Sequence, residues 1–224
     1  MFHNFNNIRN GILALCITAI SMACREPIPI NKTEQLWHDC KLEKCVSLDV
    51  FKTAMLGYYK MDFSQKKDIL TIIDYSKPSS EKRFFVINTD KKQLLYSTFV
   101  AHGKNSGDNY VTSFSNLSNS LQSCLGFFIT GETYTGENGY SLKLDGLEKN
   151  INDNARSRSI VIHGADYVCQ EYIDKYGRLG RSWGCPALPS EVSKEIIDVI
   201  SNGSCVFIYG YDKFYKENST FTTK

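Results

Sequence analysis

Two stretches decide how this chain is interpreted: SIVIHG, residues 159–164, and GRLGRSWGCPAL, residues 177–188. The first is a β-branched run that ends on His163, so it predicts a strand with a histidine at its end. The second places Cys185 in a loop between a glycine, which permits a sharp turn, and a proline, which stiffens the chain. A histidine near a thiol can accept its proton and then stabilise the thiolate. The pair predicts a cysteine nucleophile, and the alternative is a buried or disulfide-bonded structural cysteine.

Composition restricts the class of protein without naming a function. The chain has 224 residues, a formal net charge of +2, and apolar and charged fractions of 42% and 22%. These values are typical of a soluble globular protein of one or two domains. The sequence has no dense Lys/Arg tract, so no nucleic-acid partner is predicted. Its cysteines and histidines lack the paired spacing of a zinc site, so neither a metal nor another cofactor is predicted.

The first 23 residues predict a signal peptide. Arg9 is the only Lys or Arg before residue 25, and Gly11 to Ala23 is uncharged and mostly apolar. That run is too short to span a membrane comfortably but has the length of a secretory apolar region. Small residues at Ser21 and Ala23 predict cleavage after Ala23, which leaves Cys24 first. The alternative is an uncleaved amphipathic start or a short anchor.

Export would place the protein in the periplasm or cell envelope. Cys24 stands where bacterial lipoproteins carry their lipidated cysteine, although Ser21 occupies a position where leucine is usual. The mature protein is therefore either free or tethered to the membrane through a lipid on Cys24. In an oxidising compartment Cys40 and Cys45 are close enough in sequence to bridge, and the other pairings stay open. The sequence does not indicate an oligomeric state.

The chain divides into five predicted segments: a signal peptide (1–23), a tether (24–32), a helical segment (33–65), a main domain (66–213) and a C-terminal tail (214–224). The helical segment is expected to contain two short helices with a break near Cys45 to Ser47 and to pack on the main domain. One apolar stripe at three- and four-residue spacing supports this packing: Val50, Phe51, Ala54, Met55 and Tyr58.

Strand patterns dominate the main domain, which predicts a mainly β, α+β fold. The predicted strands cover residues 68–75, 83–88, 93–102, 125–130, 141–144, 159–163 and 205–209. Polar stretches at 103–119 and 131–139 predict long loops. One helix is expected to begin at Ser190, a plausible N-cap, and to end at Asn202 and Gly203.

Over residues 69–209 the chain resembles the YkuD-type L,D-transpeptidase catalytic domain, in its divergent bacterial branch. The resemblance is carried by VAHGKNSG (100–107), FSN (114–116), CLGFFITG (124–131), SRSIVIHGADY (157–167) and GRLGRSWGCPALP (177–189). Cys124 stands where serine is commoner in the family. The order His-Gly followed by Ser-x-Gly-Cys is the family's hallmark. The resemblance implies a YkuD-like mixed β-sandwich with long loops, a short N-terminal helical segment and one C-terminal helix.

The resemblance also implies an activity, that of a cysteine acyl-transferase acting on peptidoglycan stem peptides. The thiol of Cys185 attacks the amide after the L-centre of meso-diaminopimelate in a tetrapeptide and expels D-alanine. The thioester then passes to the side-chain amine of another stem, which forms a 3→3 cross-link. His163 is the implied general base, and the backbone amides of Trp183, Gly184 and Cys185 form the oxyanion hole. A backbone carbonyl can orient the histidine in this family, so Asp166 is not nominated.

The chain departs from the common family pattern beside the cysteine. Trp183 replaces a histidine, and Ala187 replaces an arginine, which leaves carboxylate binding without its usual residue. Arginines flanking the loop could supply that cation, since guanidinium groups grip carboxylates bidentately; the alternative is that they are solvated. A second strand-end histidine could line the same cleft or be held by the backbone. The candidate substrate-binding residues are Arg178, Arg181, Ser182 and His102.

Two other functions remain open. The same acyl-enzyme could pass to water, which would give an L,D-carboxypeptidase or a cross-link hydrolase. The fold could also serve a non-catalytic envelope lipoprotein that binds the wall.

Overall fold

The computed structural model describes Met1, residues 30–61 and residues 68–222. Apart from Met1, the predicted signal peptide lies outside the described residues, and so do the lipidation candidate Cys24 and most of the tether. The helices are α1 (Ile30–Asp39), α2 (Leu48–Lys60), α3 (Gln170–Tyr176), α4 (Ser190–Ile200) and α5 (Lys213–Asn218). The strands are β1 (Ile69–Asp74), β2 (Phe84–Asn88), β3 (Gln93–Thr98), β4 (Gly126–Gly136), β5 (Gly139–Gly146), β6 (Val161–Ala165), β7 (Ala187–Pro189) and β8 (Cys205–Tyr209).

The strands form one mixed sheet in the order β3-β2-β1-β8-β4-β5-β6-β7. The pairs β1–β8 and β6–β7 are parallel, and the other neighbours are antiparallel. Just after β3, Ala101 exchanges backbone hydrogen bonds of 2.8 and 3.3 Å with Ala187 of β7. This bridge brings the two edges of the sheet together, so the sheet is nearly closed like a barrel. The predicted mainly β, α+β fold is confirmed.

Central strands are buried along their whole length, which explains why their sequences are apolar without alternation. Every residue of β1 and β2 is buried, and so are the first four of β8. These strands lie side by side with β1 in the middle, and their side chains fill the core on both faces. The near-closure of the sheet therefore rests on a continuous apolar core.

Helix α2 packs its apolar stripe on this sheet. Ser47 caps the helix, since its hydroxyl accepts from the Val50 N–H, and the predicted stripe residues are all buried. At Gly57 the helix backbone comes so close to Phe127 of β4 that an added Cβ would lie 2.1 Å from the ring. The closeness of this contact requires a residue without a side chain.

We expect Gly57→Ala to lower the free energy of unfolding by about 1–3 kcal/mol, because overpacking a filled core forces backbone shifts. The alanine's better helix propensity would offset at most about 1 kcal/mol of that loss. Urea denaturation measures the change, with Thr53→Ala on the more open side of α2 as the control, expected within about 0.5 kcal/mol of wild type. An unchanged Gly57→Ala midpoint would contradict the packing of α2 on β4.

Three local expectations were wrong. Residues 131–139 are the outer part of the β4–β5 hairpin rather than a loop, because Thr133, Tyr134 and Thr135 favour strand and Gly139 turns the chain with φ of 70°. Helix α3 and strand β7 were not predicted. The segment expected to be a tail contains α5, so the C-terminal region is part of the folded domain.

A buried carboxylate explains why the C-terminal segment folds onto the sheet. Glu148 is 2% exposed and accepts from the Phe127 N–H at 2.8 Å, from the Tyr215 hydroxyl at 3.4 Å and from the Ser219 hydroxyl. Burial raises the pKa of Glu148, and these donors oppose the shift. The contacts tie α5 and the residue after it to the start of β4.

Candidate active site

Cys185 lies in the loop that leads into β7, and its sulfur rests against the start of β6. The Val161 N–H donates to Sγ at 3.4 Å, and the thiol donates to the Ser159 carbonyl at 3.5 Å. Ser159 has a φ of 56°, a left-handed conformation that turns its carbonyl at the strand entrance. The residue is half-buried, and these two contacts hold the sulfur in place.

His163 stands two residues after Val161 on the same strand and therefore on the same face. Its backbone N–H donates to the Pro186 carbonyl at 3.4 Å, and its Cα pairs with that of Ala187. The parallel pairing of β6 and β7 thus brings the two motifs together, although they are far apart in sequence.

The histidine's tautomer follows from its contacts. Nδ1 lies 2.9 Å from the Gly164 carbonyl, which can only accept, so Nδ1 carries the proton. Nε2 is then the unprotonated nitrogen. Asp166 is engaged elsewhere, because it accepts from the Ser190 hydroxyl at 2.7 Å. A backbone carbonyl, rather than a carboxylate, orients His163.

Burial keeps both groups in their neutral forms. It raises the pKa of Cys185, against the smaller effects of the Val161 N–H and the Arg158 charge. It lowers the pKa of His163, against the smaller effect of the Gly164 hydrogen bond. Both shifts favour the neutral forms, a thiol and an unprotonated imidazole, over a thiolate and an imidazolium.

The Ser182 hydroxyl organises the cysteine loop. It accepts from the Gly184 N–H at 3.1 Å and donates to the Cys185 carbonyl at 2.6 Å. Gly184 has a φ of 126°, and an added Cβ would lie 2.9 Å from the Gln122 carbonyl. The amides of Trp183 and Cys185 have no partner within the part of the chain that the structure describes. The Ser182 hydroxyl is thus engaged in two hydrogen bonds within the loop.

His102 lies in the interior, next to the segment that pairs with Ser182. It is fully buried, its Nδ1 is 2.8 Å from the Arg83 guanidinium, and its Nε2 is 3.4 Å from the Gly107 carbonyl. Since guanidinium only donates, Nδ1 accepts and the proton is on Nε2. Burial, followed by the Arg83 charge, lowers the pKa of His102 to about 3. Both ring nitrogens are used internally, so the suggestion that His102 contacts substrate conflicts with its position.

Sequence reasoning missed Arg83, a fully buried cation next to this histidine. Its N–H groups donate to the carbonyls of Val100 and Lys77, and its guanidinium stacks 4.8 Å from the Tyr75 ring centre. Burial lowers its pKa to about 10. No carboxylate forms an ion pair with it among the described residues. A single arginine before an apolar strand gave no sequence signal that it would be buried beside His102.

Arg178 and Arg181 meet at one carboxylate, that of Asp108. The distances to its Oδ1 are 2.7 Å from Arg178 Nε and 3.3 Å from Arg181 Nη1. Arg181 also donates to the Gly107 carbonyl at 3.0 Å. Both side chains are partly exposed, so neither is a fully solvated arginine. The two arginines form a cationic pair beside the cysteine loop, and this pair already binds the protein's own Asp108 carboxylate.

Arg158 is a second residue that the motifs did not assign to the site. Its charge acts on the Cys185 thiol, and its N–H groups hold the neighbouring loop through the carbonyls of Ser115 and Gln122 at 2.5 and 2.7 Å. The only sequence signal for a place near the site was its position, five residues before His163 in the stretch that carries the resemblance.

The six described cysteines are all free: Cys40, Cys45, Cys124, Cys169, Cys185 and Cys205. The bridge considered between Cys40 and Cys45 is not formed. Burial raises the pKa of Cys40 and of Cys124 to about 11. Across residues 30–61 and 68–222, no cluster of three or more His, Cys, Asp or Glu is arranged to hold a metal ion. In the same ranges, none of the helices has both the length and the apolar character required to cross a membrane.

A family model described as the L,D-transpeptidase catalytic domain matches residues 42–209. Among solved structures, the chain is similar to an L,D-transpeptidase from Mycobacterium smegmatis, at 12% identity over 64% of this chain and 59% of that one, with a TM-score of 0.40. It is also similar to the helical cell shape determining protein Pgp2 from Campylobacter jejuni, at 15% identity over 72% and 55%, with a TM-score of 0.41. A third similarity is to an L,D-transpeptidase from Stackebrandtia nassauensis, at 12% identity over 81% and 77%, with a TM-score of 0.39.

In the first two of these comparisons the chain spans less than two thirds of the solved structure's length. No curated protein sequence matches the chain significantly.

Proposed function

The chain belongs to the L,D-transpeptidase catalytic domain family, and from that premise we propose that it modifies peptidoglycan as an acyl-transferase whose nucleophile is Cys185. One observation carries the proposal. The Cys185 sulfur lies against the backbone of β6, two residues before a histidine whose Nδ1–H is held by a carbonyl and whose Nε2 is left as a base. Nucleophile, base and orienting group are the three parts that thiol acyl transfer needs.

The neutral resting pair supports a general-base mechanism. As Sγ attacks the peptide carbonyl, the thiol proton passes to Nε2 of His163, and the new C–S bond forms as the carbonyl oxygen takes up charge. The leaving D-alanine amine then takes that proton as the C–N bond breaks, which leaves a thioester. A side-chain amine of a second stem peptide attacks the thioester, gives up its proton through His163 and restores the thiol, with a 3→3 cross-link as product.

Backbone amides of the cysteine loop would hold the charge on the carbonyl oxygen. The amides of Trp183 and Cys185 are the best candidates, because they have no other partner in the described chain. The Gly184 amide donates to Ser182 Oγ, so it would contribute only after turning away from that hydroxyl. Each donor at such a site stabilises the transition state by about 3 kcal/mol.

The cationic pair next to the loop supports a role in binding a substrate carboxylate. Arg178 and Arg181 share one oxygen of Asp108, and Nη2 of each guanidinium has no hydrogen bond to a described residue. A substrate carboxylate would bind these remaining N–H groups or displace Asp108, which is 74% exposed. This arrangement would supply the cation that Ala187 does not.

The neutral pair predicts the pH dependence of turnover. Since His163 must be unprotonated to act as base and its pKa is lowered, kcat/KM should fall on the acid side with an apparent pKa below the ordinary 6.5. Since the Cys185 pKa is raised, no loss of rate should follow from thiol ionisation near neutrality. A pH profile of D-alanine release checks this, and an acid limb above 6.5 would contradict the neutral pair.

Mass spectrometry of muropeptides incubated with the purified protein tests the proposed activity. We expect 3→3 linked dimers and released D-alanine. Shortened monomers without dimers would assign the thioester to water and make the protein a carboxypeptidase or hydrolase. Cleaved dimers would indicate a cross-link hydrolase. Muropeptides that bind unchanged would favour the wall-binding alternative and overturn the proposed catalysis.

We propose a cell-envelope location for this activity, with export directed by residues 1–23. Whether a lipid on Cys24 tethers the protein is a separate prediction. Mass measurement of the mature N-terminus after expression in a bacterial host decides between a lipidated and a free Cys24.

A further inference from the structure

The cysteine loop carries an exposed aromatic side chain that the acyl-transfer chemistry does not use. Trp183 is 74% exposed, although it is two residues before Cys185 in a loop fixed by hydrogen bonds. Burying so large an apolar side chain would ordinarily stabilise the fold. Its exposure at this position indicates a surface that a ligand covers.

The backbone holds Trp183 outward. The Ser182 N–H donates to the His102 carbonyl at 2.9 Å, and the Ser182 carbonyl accepts from the Lys104 N–H at 2.8 Å. Gly184 packs against Gly103 so closely that a Cβ on Gly103 would lie 2.9 Å from the Gly184 Cα. The strand-like pairing on one side of Trp183 and this backbone contact on the other leave the indole only the solvent side.

A cation lies over the indole. Lys104 Nζ is 5.7 Å from the ring centre, and no described carboxylate forms an ion pair with it. Two other exposed apolar side chains, Tyr110 and Leu117, lie in the same connection between β3 and β4 as Lys104. The site therefore offers a largely exposed indole with an ammonium group, unpaired among the described residues, over part of it, and the ring surface that Lys104 leaves open suits a sugar ring.

We infer that Trp183 and Lys104 bind the glycan part of the substrate, with a sugar ring stacked on the indole and its acyl or carboxylate oxygens near Lys104. This inference rests on the proposed function and names a specificity determinant for it. The apolar C–H face of a sugar matches a flat indole and needs no enclosing pocket. Lys104 supplies the hydrogen-bond donors that sugar oxygens require.

The spacing between Trp183 and Cys185 and the length of the stem peptide agree with this assignment. The Cα atoms of Trp183 and Cys185 are at most about 7.6 Å apart, since each step is 3.80 Å, and the indole extends further. In the donor stem the sugar precedes the reacting bond by three residues, or about 10 Å when extended. A stem peptide with its carbonyl at Cys185 can therefore place its sugar at Trp183.

The kinetic test compares two donors, a disaccharide-tetrapeptide and the same tetrapeptide without sugar. We expect wild type to have the higher kcat/KM with the disaccharide-tetrapeptide. Trp183→Ala should reduce the ratio of the two kcat/KM values about tenfold, and a loss of activity common to both donors does not affect this ratio. Tenfold corresponds to about 1.4 kcal/mol of binding free energy. Trp183→Phe should keep most of the preference, and Tyr211→Ala, at an equally exposed aromatic elsewhere, should keep all of it. An unchanged ratio in Trp183→Ala, or no preference in wild type, would overturn the inference.

A binding test separates this inference from the proposed activity. Calorimetry with a peptide-free tetrasaccharide of N-acetylglucosamine and N-acetylmuramic acid uses the Cys185→Ala protein, which cannot turn over. We expect Trp183→Ala in that background to weaken binding about tenfold and Lys104→Met to weaken it less. If wild type turns over neither donor, the proposed function fails while this measurement still decides the glycan site. Equal affinity with and without the indole overturns the site.

Discussion

Cys185→Ala should abolish turnover, with a loss of about 10⁴-fold or more. The thioester cannot form without the sulfur, and removal of a covalent nucleophile leaves only the background from binding and backbone donors. The fold should survive, because the change removes one half-buried atom and costs at most about 1–2 kcal/mol. D-alanine release and dimer formation measure the rate, and thermal unfolding confirms the fold.

Cys169→Ala is the matched control for this prediction. Cys169 is also half-buried and free, and it makes no side-chain hydrogen bond at the start of α3. Its loss should leave turnover within about twofold of wild type. If a folded Cys185→Ala protein kept activity within about tenfold of wild type, the nucleophile would have to be another group.

His163→Gln should lower kcat/KM by about 10²–10⁴-fold near neutral pH, the range that general base catalysis supplies. The resting thiol has a raised pKa, so it ionises poorly without a base. In the variant, thiolate must form through solvent, and the rate should keep rising with pH where wild type has levelled off. A merely structural histidine would lower the rate equally at every pH.

Two comparisons sharpen the histidine prediction. His38→Gln changes a half-exposed histidine on α1 that contacts Glu43, and it should not affect turnover. The double variant of Cys185 and His163 should be no slower than Cys185→Ala alone, since the two groups act as a unit. A double variant slower by the product of the two losses would mean that the groups act independently.

Local patterns predicted much of the sheet because they follow from burial of the individual strands. The strands β1 and β8 were expected, and so was α4, although its N-cap is Pro189 rather than Ser190. Strand β7 was missed, because three residues have too little periodicity to indicate a strand. That strand exists through its pairing with β6 and with Ala101, which are contacts between distant parts of the chain.

The candidate site shows the same division between what local sequence predicts and what contacts between distant segments determine. The motif nominated Cys185 and His163 because residue types with that chemistry stand in a glycine-rich loop and at a strand end. The motif could not show that the Ser182 hydroxyl is used within the loop, or that Asp108 joins the two arginines. Those partners depend on which loops come into contact, and the closure of the sheet determines these contacts.

By itself the sequence determined the family and the mainly β fold, and it nominated Cys185 and His163 as the candidate nucleophile and base, since local residue order carries all three. Only the tertiary structure decided the direction in which burial shifts the pKa values of Cys185 and His163, the buried place of His102 beside Arg83 and the outward face of Trp183. The physical reason is that desolvation, hydrogen-bond partners and exposure are properties of a residue's spatial neighbours. For these residues the neighbours come from segments far away in the chain.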